Sequence, residues 1–257
     1  MQAERRSAPS KVPAVTRGYW IIKIVATTLG EVGGNAVTLT LGLGYLAGTA
    51  IFASALIVLL AAQFRAERFN SLLYWAVITA TTLAGTTLAD FCDRSLGIGY
   101  PGGSILLLSL VVATLVLWKR TLGTIAVETV HSPKAEGFYW AAIMFSQTLG
   151  TALGDWMADS TGLGYNGSAA LIAVALAVVA GLHFLTKVSR PLLFWAAFVL
   201  TRPLGATLAN SLDKPAANGG LGISDITISA VLAAAMVACV LLIPQRAGHD
   251  LEDREAA

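Results

Sequence analysis

The sequence predicts an all-α membrane protein with eight transmembrane helices. They are arranged as four parallel two-helix repeats around a pseudo-fourfold axis along the membrane normal. Three observations lead there. Hydrophobic residues make up 56% of the 257 residues and charged ones 12%, about half the charge of an ordinary soluble domain; the mean hydropathy is +0.71. Eight apolar stretches approach the length needed to cross a bilayer. An aromatic-Trp pair recurs in one register at Tyr19-Trp20, Tyr74-Trp75, Tyr139-Trp140 and Phe194-Trp195. The net charge of +2 offers no basic field for nucleic acid. Cys92 and Cys239 fall in apolar runs and give neither a disulfide framework nor a CxxC motif.

Self-similarity fixes the organisation. With each leading aromatic as position zero, position 11 is Gly30, Gly85, Gly150 and Gly205. Position 15 is Gly34, Ala89, Gly154 and Ala209, and position 16 is Asn35, Asp90, Asp155 and Asn210. A Gly-x-Gly-aromatic turn follows at Gly42–Tyr45, Gly97–Tyr100 and Gly162–Tyr165, with a looser Gly220-Leu221-Gly222 after a short insertion. First helices are expected near 19–40, 72–92, 138–158 and 192–212, and second helices near 46–63, 103–118, 167–186 and 226–243. The repeats cover about 19–65, 74–120, 139–187 and 194–243 of one transmembrane domain, 19–243, between an N-tail (1–18) and a C-tail (244–257). The Tyr-Trp pairs sit where interfacial aromatics belong.

Basic residues set the expected orientation. Thirteen of the 17 lie in the tails and the loops between repeats: Arg5, Arg6, Lys11, Arg17, Arg65, Arg68, Lys119, Arg120, Lys134, Lys187, Arg190, Arg246 and Arg254. The turns within repeats hold only Arg94 and Lys214, each beside an Asp. Both termini are therefore expected to be cytoplasmic. Arg5-Arg6 is not followed by a cleavable apolar segment, so the first helix reads as an uncleaved span. A two-helix repeat returns the chain to its starting side, so the copies run parallel rather than inverted, and four equivalent first helices are free to face one another.

The four tandem units, each opening on an aromatic-Trp pair, resemble a bacterial family of integral membrane proteins built from four copies of a repeat of unknown function, described as uncharacterised membrane-anchored proteins. The resemblance spans roughly residues 19–243. It implies the eight-helix topology and a bacterial inner-membrane location, and it implies no substrate.

The first helices carry a polar stripe, since steps of four and three residues return to one helical face. It holds Thr27, Glu31, Asn35 and Thr38; Thr82, Thr86, Asp90 and Asp93 with Arg94; Gln147, Thr151, Asp155 and Asp159; and Arg202, Ala206, Asn210, Asp213 and Lys214. Around an axis these make layers: Thr27, Thr82, Gln147 and Arg202; then Glu31, Thr86, Thr151 and Ala206; then Asn35, Asp90, Asp155 and Asn210. Asp93, Asp159 and Asp213 mark an outer mouth. The second helices are nearly pure Leu, Val, Ala and Ile. The small residues at positions 11 and 15, Gly30, Gly34, Gly85, Gly150, Gly154 and Gly205, suit close helix packing.

Charges within hydrocarbon face protein or water and usually mark a pathway. The expected function is a transporter or channel-like carrier of a cation or small polar solute, not an enzyme. Glu31, Asp90 and Asp155 would be the binding or proton-relay groups. The structural alternative is a membrane scaffold in which these acids pair with Lys23 and Arg202, leaving one acid over. If a metal is carried, the oxygen ligands suit Mn²⁺, Mg²⁺ or Ca²⁺, because the stripe lacks His, Cys and Met; Glu31, Asp90 and Asp155 would hold it. His131 and His249 lie in cytoplasmic segments and His183 near the end of an apolar helix. The Arg202-Pro203 pair reads as a kinked joint or an anion contact.

No resident cofactor is expected. The GxGxxG strings at Gly97–Gly102 and Gly162–Gly167 lack a βαβ setting and read as helix-connecting turns. Asn166-Gly167-Ser168 is a formal glycosylation sequon without meaning in a bacterial host. Ala152-Leu153-Gly154-Asp155 is similar to the Gly-x-Gly-Asp motif of intramembrane aspartyl proteases, with Asp90 as a second carboxylate. That leaves a remote hydrolase alternative. No Ser-His-Asp or Cys-His set can be assembled.

Overall fold

A computed structural model describes residues 10–248. Arg5, Arg6, His249 and Arg254, with the distal parts of both expected tails, lie outside the described residues. Within them the chain is all-helical, with eight long helices and no strand. The first helices of the repeats are α1 (Arg17–Asn35), α3 (Ser71–Asp90), α5 (Pro133–Ser160) and α7 (Arg190–Asp213). The second helices are α2 (Gly44–Arg65), α4 (Tyr100–Leu122), α6 (Gly164–Leu185) and α8 (Asp225–Leu242). Thr16, Asn70 and Ser132 start α1, α3 and α5 by accepting the backbone N–H of Tyr19, Leu73 and Ala135, which satisfies amides that a helix start leaves open. Single π-helical turns, Ala36–Thr40 and Phe91–Ser95, prolong α1 and α3.

The first helices close a ring: α1 packs on α3, α3 on α5, α5 on α7, and α7 on α1. The second helices lie outside it, α2 against α3, α4 against α5, α6 against α7 and α8 against α1. Each second helix thus leans mainly on the first helix of the next repeat, and α8 closes the circle. The repeat is not a self-packed hairpin.

One contact recurs at every junction. A Cβ added to Gly30 would lie 2.3 Å from Thr82 Cβ, one on Gly85 3.2 Å from Gln147 Cβ, one on Gly150 2.4 Å from Arg202 Cβ, and one on Gly205 2.7 Å from Thr27 Cβ. Position 11 of each repeat therefore seats position 8 of the next, including the last on the first. Gly34 and Gly154 do the same one turn on, against Thr86 and Ala206. The packing role read from the sequence is the one the helices use.

Six helical segments are long and apolar enough to cross a membrane: Gly44–Arg65, Ser71–Ser95, Tyr100–Leu122, Gly164–Leu185, Arg190–Asp213 and Asp225–Leu242. This falls short of the eight expected. The polar, glycine-rich faces of α1 and α5 lower their hydropathy, and the ring covers those faces. The outer helices instead expose large apolar side chains, among them Ile57 and Val58, Ile105 and Leu106, Val174 and Leu185, Val231 and Leu241. Apolar surface on helices of spanning length is what lipid contact requires, and the chain is a multi-pass membrane protein.

The aromatic pairs correct an expectation. Tyr19, Tyr74 and Tyr139, with Trp75, Trp140 and Trp195, are buried by protein, and Trp20 alone stays partly exposed. They are not an interfacial belt. Position zero lies four residues before position 4 and eight before position 8, on the face turned into the ring. Each leading aromatic meets the next repeat's Trp: Tyr19 and Trp75 at 5.4 Å, Tyr74 and Trp140 at 5.7 Å, Tyr139 and Trp195 at 6.0 Å, Phe194 and Trp20 at 5.7 Å between ring centroids.

The described tail residues fold over this end of the ring. Pro13 bridges Ala247, Lys11 N–H donates to Val130 O, and Val12 is buried in the core. Lys11 Nζ reaches Glu136 at 3.0 Å. At the opposite end Gly42 and Gly44, like Gly97 and Gly99 and Gly162 and Gly164, take positive φ, which only glycine adopts freely; the GxGxxG strings are turns. In the fourth repeat Gly219 and Gly222 take those conformations, one residue off the spacing read from the sequence.

Candidate functional site: the polar stack inside the helix ring

Five layers succeed one another inside the ring, about 6 Å apart at four residues per step. The first is Tyr19, Tyr74, Tyr139 and Phe194. Tyr74 OH lies 2.6 Å from Tyr139 OH and 3.4 Å from Tyr19 OH. The second is Lys23, Ile78, Ile143 and Phe198, and all four are fully buried. Lys23 Nζ lies 3.6 Å from the centre of the Phe198 ring and has no hydrogen-bond partner among the described residues. The expected pairing of Lys23 with an acid is therefore not made: its own layer offers only two isoleucines and a phenylalanine.

The third and fourth layers interlock. Arg202, fully buried, places Nη2 2.9 Å from Glu31 Oε2 and 2.5 Å from both Thr86 Oγ1 and Thr151 Oγ1. One guidanidinium from α7 thus touches α1, α3 and α5. The two threonines of the third layer hold the ring directly. Thr82 Oγ1 donates to Ala26 O at 3.2 Å and Thr27 Oγ1 to Thr201 O at 3.4 Å, the same position on the preceding helix. In the fourth layer Thr86 Oγ1 also lies 3.1 Å from Gly30 O. Gln147 is buried with both amide atoms unpartnered among the described residues. Pro203, expected as a kink, is accommodated within an unbroken α7.

The fifth layer is Asn35, Asp90, Asp155 and Asn210, all buried. Arg94 folds back into it: Nε binds Asp90 Oδ1 at 2.9 Å and Nη2 binds Asp155 Oδ2 at 3.0 Å, while Asn210 Nδ2 donates to Asp155 Oδ1 at 3.3 Å. The stack therefore holds three acids and three bases, paired unevenly: Glu31 with Arg202, Asp90 and Asp155 both with Arg94, and Lys23 with none among the described residues. The expected outer mouth does not converge on one point. Asp159 accepts from Tyr100 and Tyr165, each at 3.3 Å. Asp213 meets Lys214 at 3.3 Å and Asn35 at 3.5 Å. Asp93 packs against Gly103 of α4. Among the described residues, no group of three or more His, Cys, Asp or Glu side chains is placed to hold a metal ion.

Two residues were underweighted from the sequence: Lys23 as a ring residue, and Arg94 as the bridge between acids. Both carried a signal, since position 4 and position 20 continue the four-residue step on which the stripe was built.

The ring, the lipid-length helices and the buried polar stack define a polytopic membrane protein made by tandem repetition. The repeat itself identifies the family. A family model described as Repeat of Unknown Function (DUF347) matches residues 18–69, 73–124, 138–189 and 193–244, and the chain belongs to that family. No curated protein and no solved structure matches the chain.

Proposed function

We propose that this chain is a carrier that moves a cation or small polar solute through the interior of the helix ring, with protonation of Asp90 and Asp155 as the coupling step. In this reading all eight helices cross the bilayer, α1 and α5 as spans whose polar faces the ring shields. The ring is a pseudo-fourfold arrangement about the membrane normal, and both termini face the cytoplasm of an inner membrane. The path runs along Thr27, Thr82, Gln147 and Arg202, then Glu31, Thr86 and Thr151, then Asn35, Asp90, Asp155 and Asn210.

The observation that carries the reading is the incomplete pairing of the stack. Lys23 Nζ, both amide atoms of Gln147, and Nε and Nη1 of Arg202 have no partner among the described residues. A ring selected only for stability gains nothing by burying such groups, because each orphaned polar atom costs about 1–3 kcal/mol, whereas a path needs groups free to engage its cargo. Proton coupling fits better than a bound Mn²⁺, Mg²⁺ or Ca²⁺, since Arg202 engages Glu31 and Arg94 engages the other two acids. An aspartyl hydrolase fits least. Its carboxylates must share a proton, whereas here each carboxylate meets a separate nitrogen of Arg94, which stands between them.

The scaffold reading retains one specific support, the three-helix clamp at Arg202. Flux separates the two. In proteoliposomes loaded with a pH-sensitive dye and challenged with proton, Mn²⁺, Mg²⁺ and Ca²⁺ gradients, Asp90→Asn and Asp155→Asn should abolish flux while leaving insertion and folding intact. Wild-type liposomes no leakier than empty ones, with variants changed only in thermal stability, would establish the scaffold.

A further inference from the structure

We propose that Lys23, Gln147 and Arg202 form a binding site for one small monovalent anion of the chloride class. The three side chains are fully buried and occupy two adjacent layers of the ring, Lys23 in the second and Gln147 with Arg202 in the third, one turn on. Their unpartnered atoms (Lys23 Nζ, Gln147 Nε2, and Arg202 Nε and Nη1) carry eight N–H bonds by side-chain chemistry, against one free acceptor, Gln147 Oε1. Elsewhere among the described residues such orphaned atoms occur one to a side chain; here donors dominate, and two of their three bearers are basic. Buried N–H groups in native proteins are nearly always satisfied, and what satisfies a donor-rich set is an acceptor.

Charge gives the same answer. In this half of the stack Lys23 and Arg202 face only Glu31, an excess of one positive charge with Lys23 protonated. In the far half Asp90 and Asp155 share only Arg94, an excess of one negative charge. The excesses sit about 12–18 Å apart at 1.5 Å per residue, too far to form an ion pair. One monovalent anion neutralises the near half, whereas a divalent one would overshoot. The walls beside Lys23 are Ile78, Ile143 and Phe198, which suit a small, weakly hydrated ion better than phosphate or sulfate. The inference rests on the polar ring but not on transport. If the ring does transport, the opposite excess at Asp90 and Asp155 is where a proton or cation would travel with the anion.

The test is equilibrium binding of radioactive chloride to purified protein in detergent, with gluconate as the inert counter-ion at constant ionic strength. Wild type should bind one chloride per chain, displaced by bromide, and its melting temperature should rise as chloride replaces gluconate. Lys23→Met, which suits the apolar second layer, should weaken binding at least tenfold and remove the chloride-dependent rise. Gln147→Leu should weaken it less, and it provides a second readout should Lys23→Met fail to fold. The absence of saturable binding to wild type, or equal binding by wild type and a folded Lys23→Met, overturns the site. Asp90→Asn should keep chloride binding. Binding without flux would then defeat the transport reading alone, and flux without binding would defeat the anion site alone.

Discussion

The inner and outer helices have similar lengths and opposite natures. The first helices bury Thr, Asn, Gln, Asp, Glu, Lys and Arg side chains together with glycines, whereas the second helices present Leu, Val and Ile to their surroundings. The contrast shows how a chain of this composition keeps charge in a membrane. It wraps the polar helices in a ring and turns the apolar side chains of the second helices outward. The two helix types therefore have different tolerances. Inside the ring a substitution fails by misfit or by stranding a charge; outside, it fails only by polarity.

The largest expected effect breaks the clamp between those charges. Arg202→Met leaves Glu31 buried without its cation and should lower stability by about 3–5 kcal/mol, read as a fall in melting temperature. Adding Glu31→Gln should recover much of that loss, and failure to recover would mean the guanidinium acts on the threonines instead. Next, Val174→Lys, at the exposed middle of α6, should impair insertion by about 2.5–3.5 kcal/mol, scored by the membrane-inserted fraction. Val174→Leu should leave it unchanged, and a tolerated lysine would place α6 away from hydrocarbon.

Overpacking the ring comes third. Gly30→Ala drives a methyl into Thr82, which a Cβ would approach to 2.3 Å, and should cost about 1–3 kcal/mol. Gly181→Ala on α6, where an added Cβ meets nothing within 4 Å, should be neutral or stabilise by up to about 1 kcal/mol. Equal melting temperatures for the two variants would dissolve the distinction between inner and outer helices. The smallest effect lies at the tail end. Lys11→Met removes the partner of buried Glu136, yet Lys11 is partly solvated, so a loss of about 1 kcal/mol is expected by thermal unfolding.

Much of this was legible because repetition multiplies weak signals. A single Gly-xxx-Gly or one buried Asp says little, but position 11 occupied by glycine four times over marked the ring contact. The helix boundaries, the Gly-x-Gly turns and the polar face of the first helices followed from the same register. Three features did not follow. The aromatic pairs looked interfacial because Tyr and Trp suit headgroups and packed cores equally well, and only the ring's geometry turned them inward. Arg94 looked like a turn residue because a sequence does not show that a long side chain folds back one turn to reach Asp90 and across to Asp155 on another helix. Lys23 looked like a counter-ion because opposite charges on neighbouring helices invite pairing, while its neighbours proved to be Ile78, Ile143 and Phe198.

The sequence by itself determined the repeat, its all-helical nature, the two kinds of helix and the residues that share a face, since all of these depend on local periodicity and on the price of polarity in hydrocarbon. Tertiary structure alone decided which repeat meets which. Each second helix leans on its successor's first helix, and the fourth repeat closes on the first. It also decided which acid meets which base. Those choices depend on contacts between residues as distant in the chain as Glu31 and Arg202, where shape and close approach govern and no periodicity reaches.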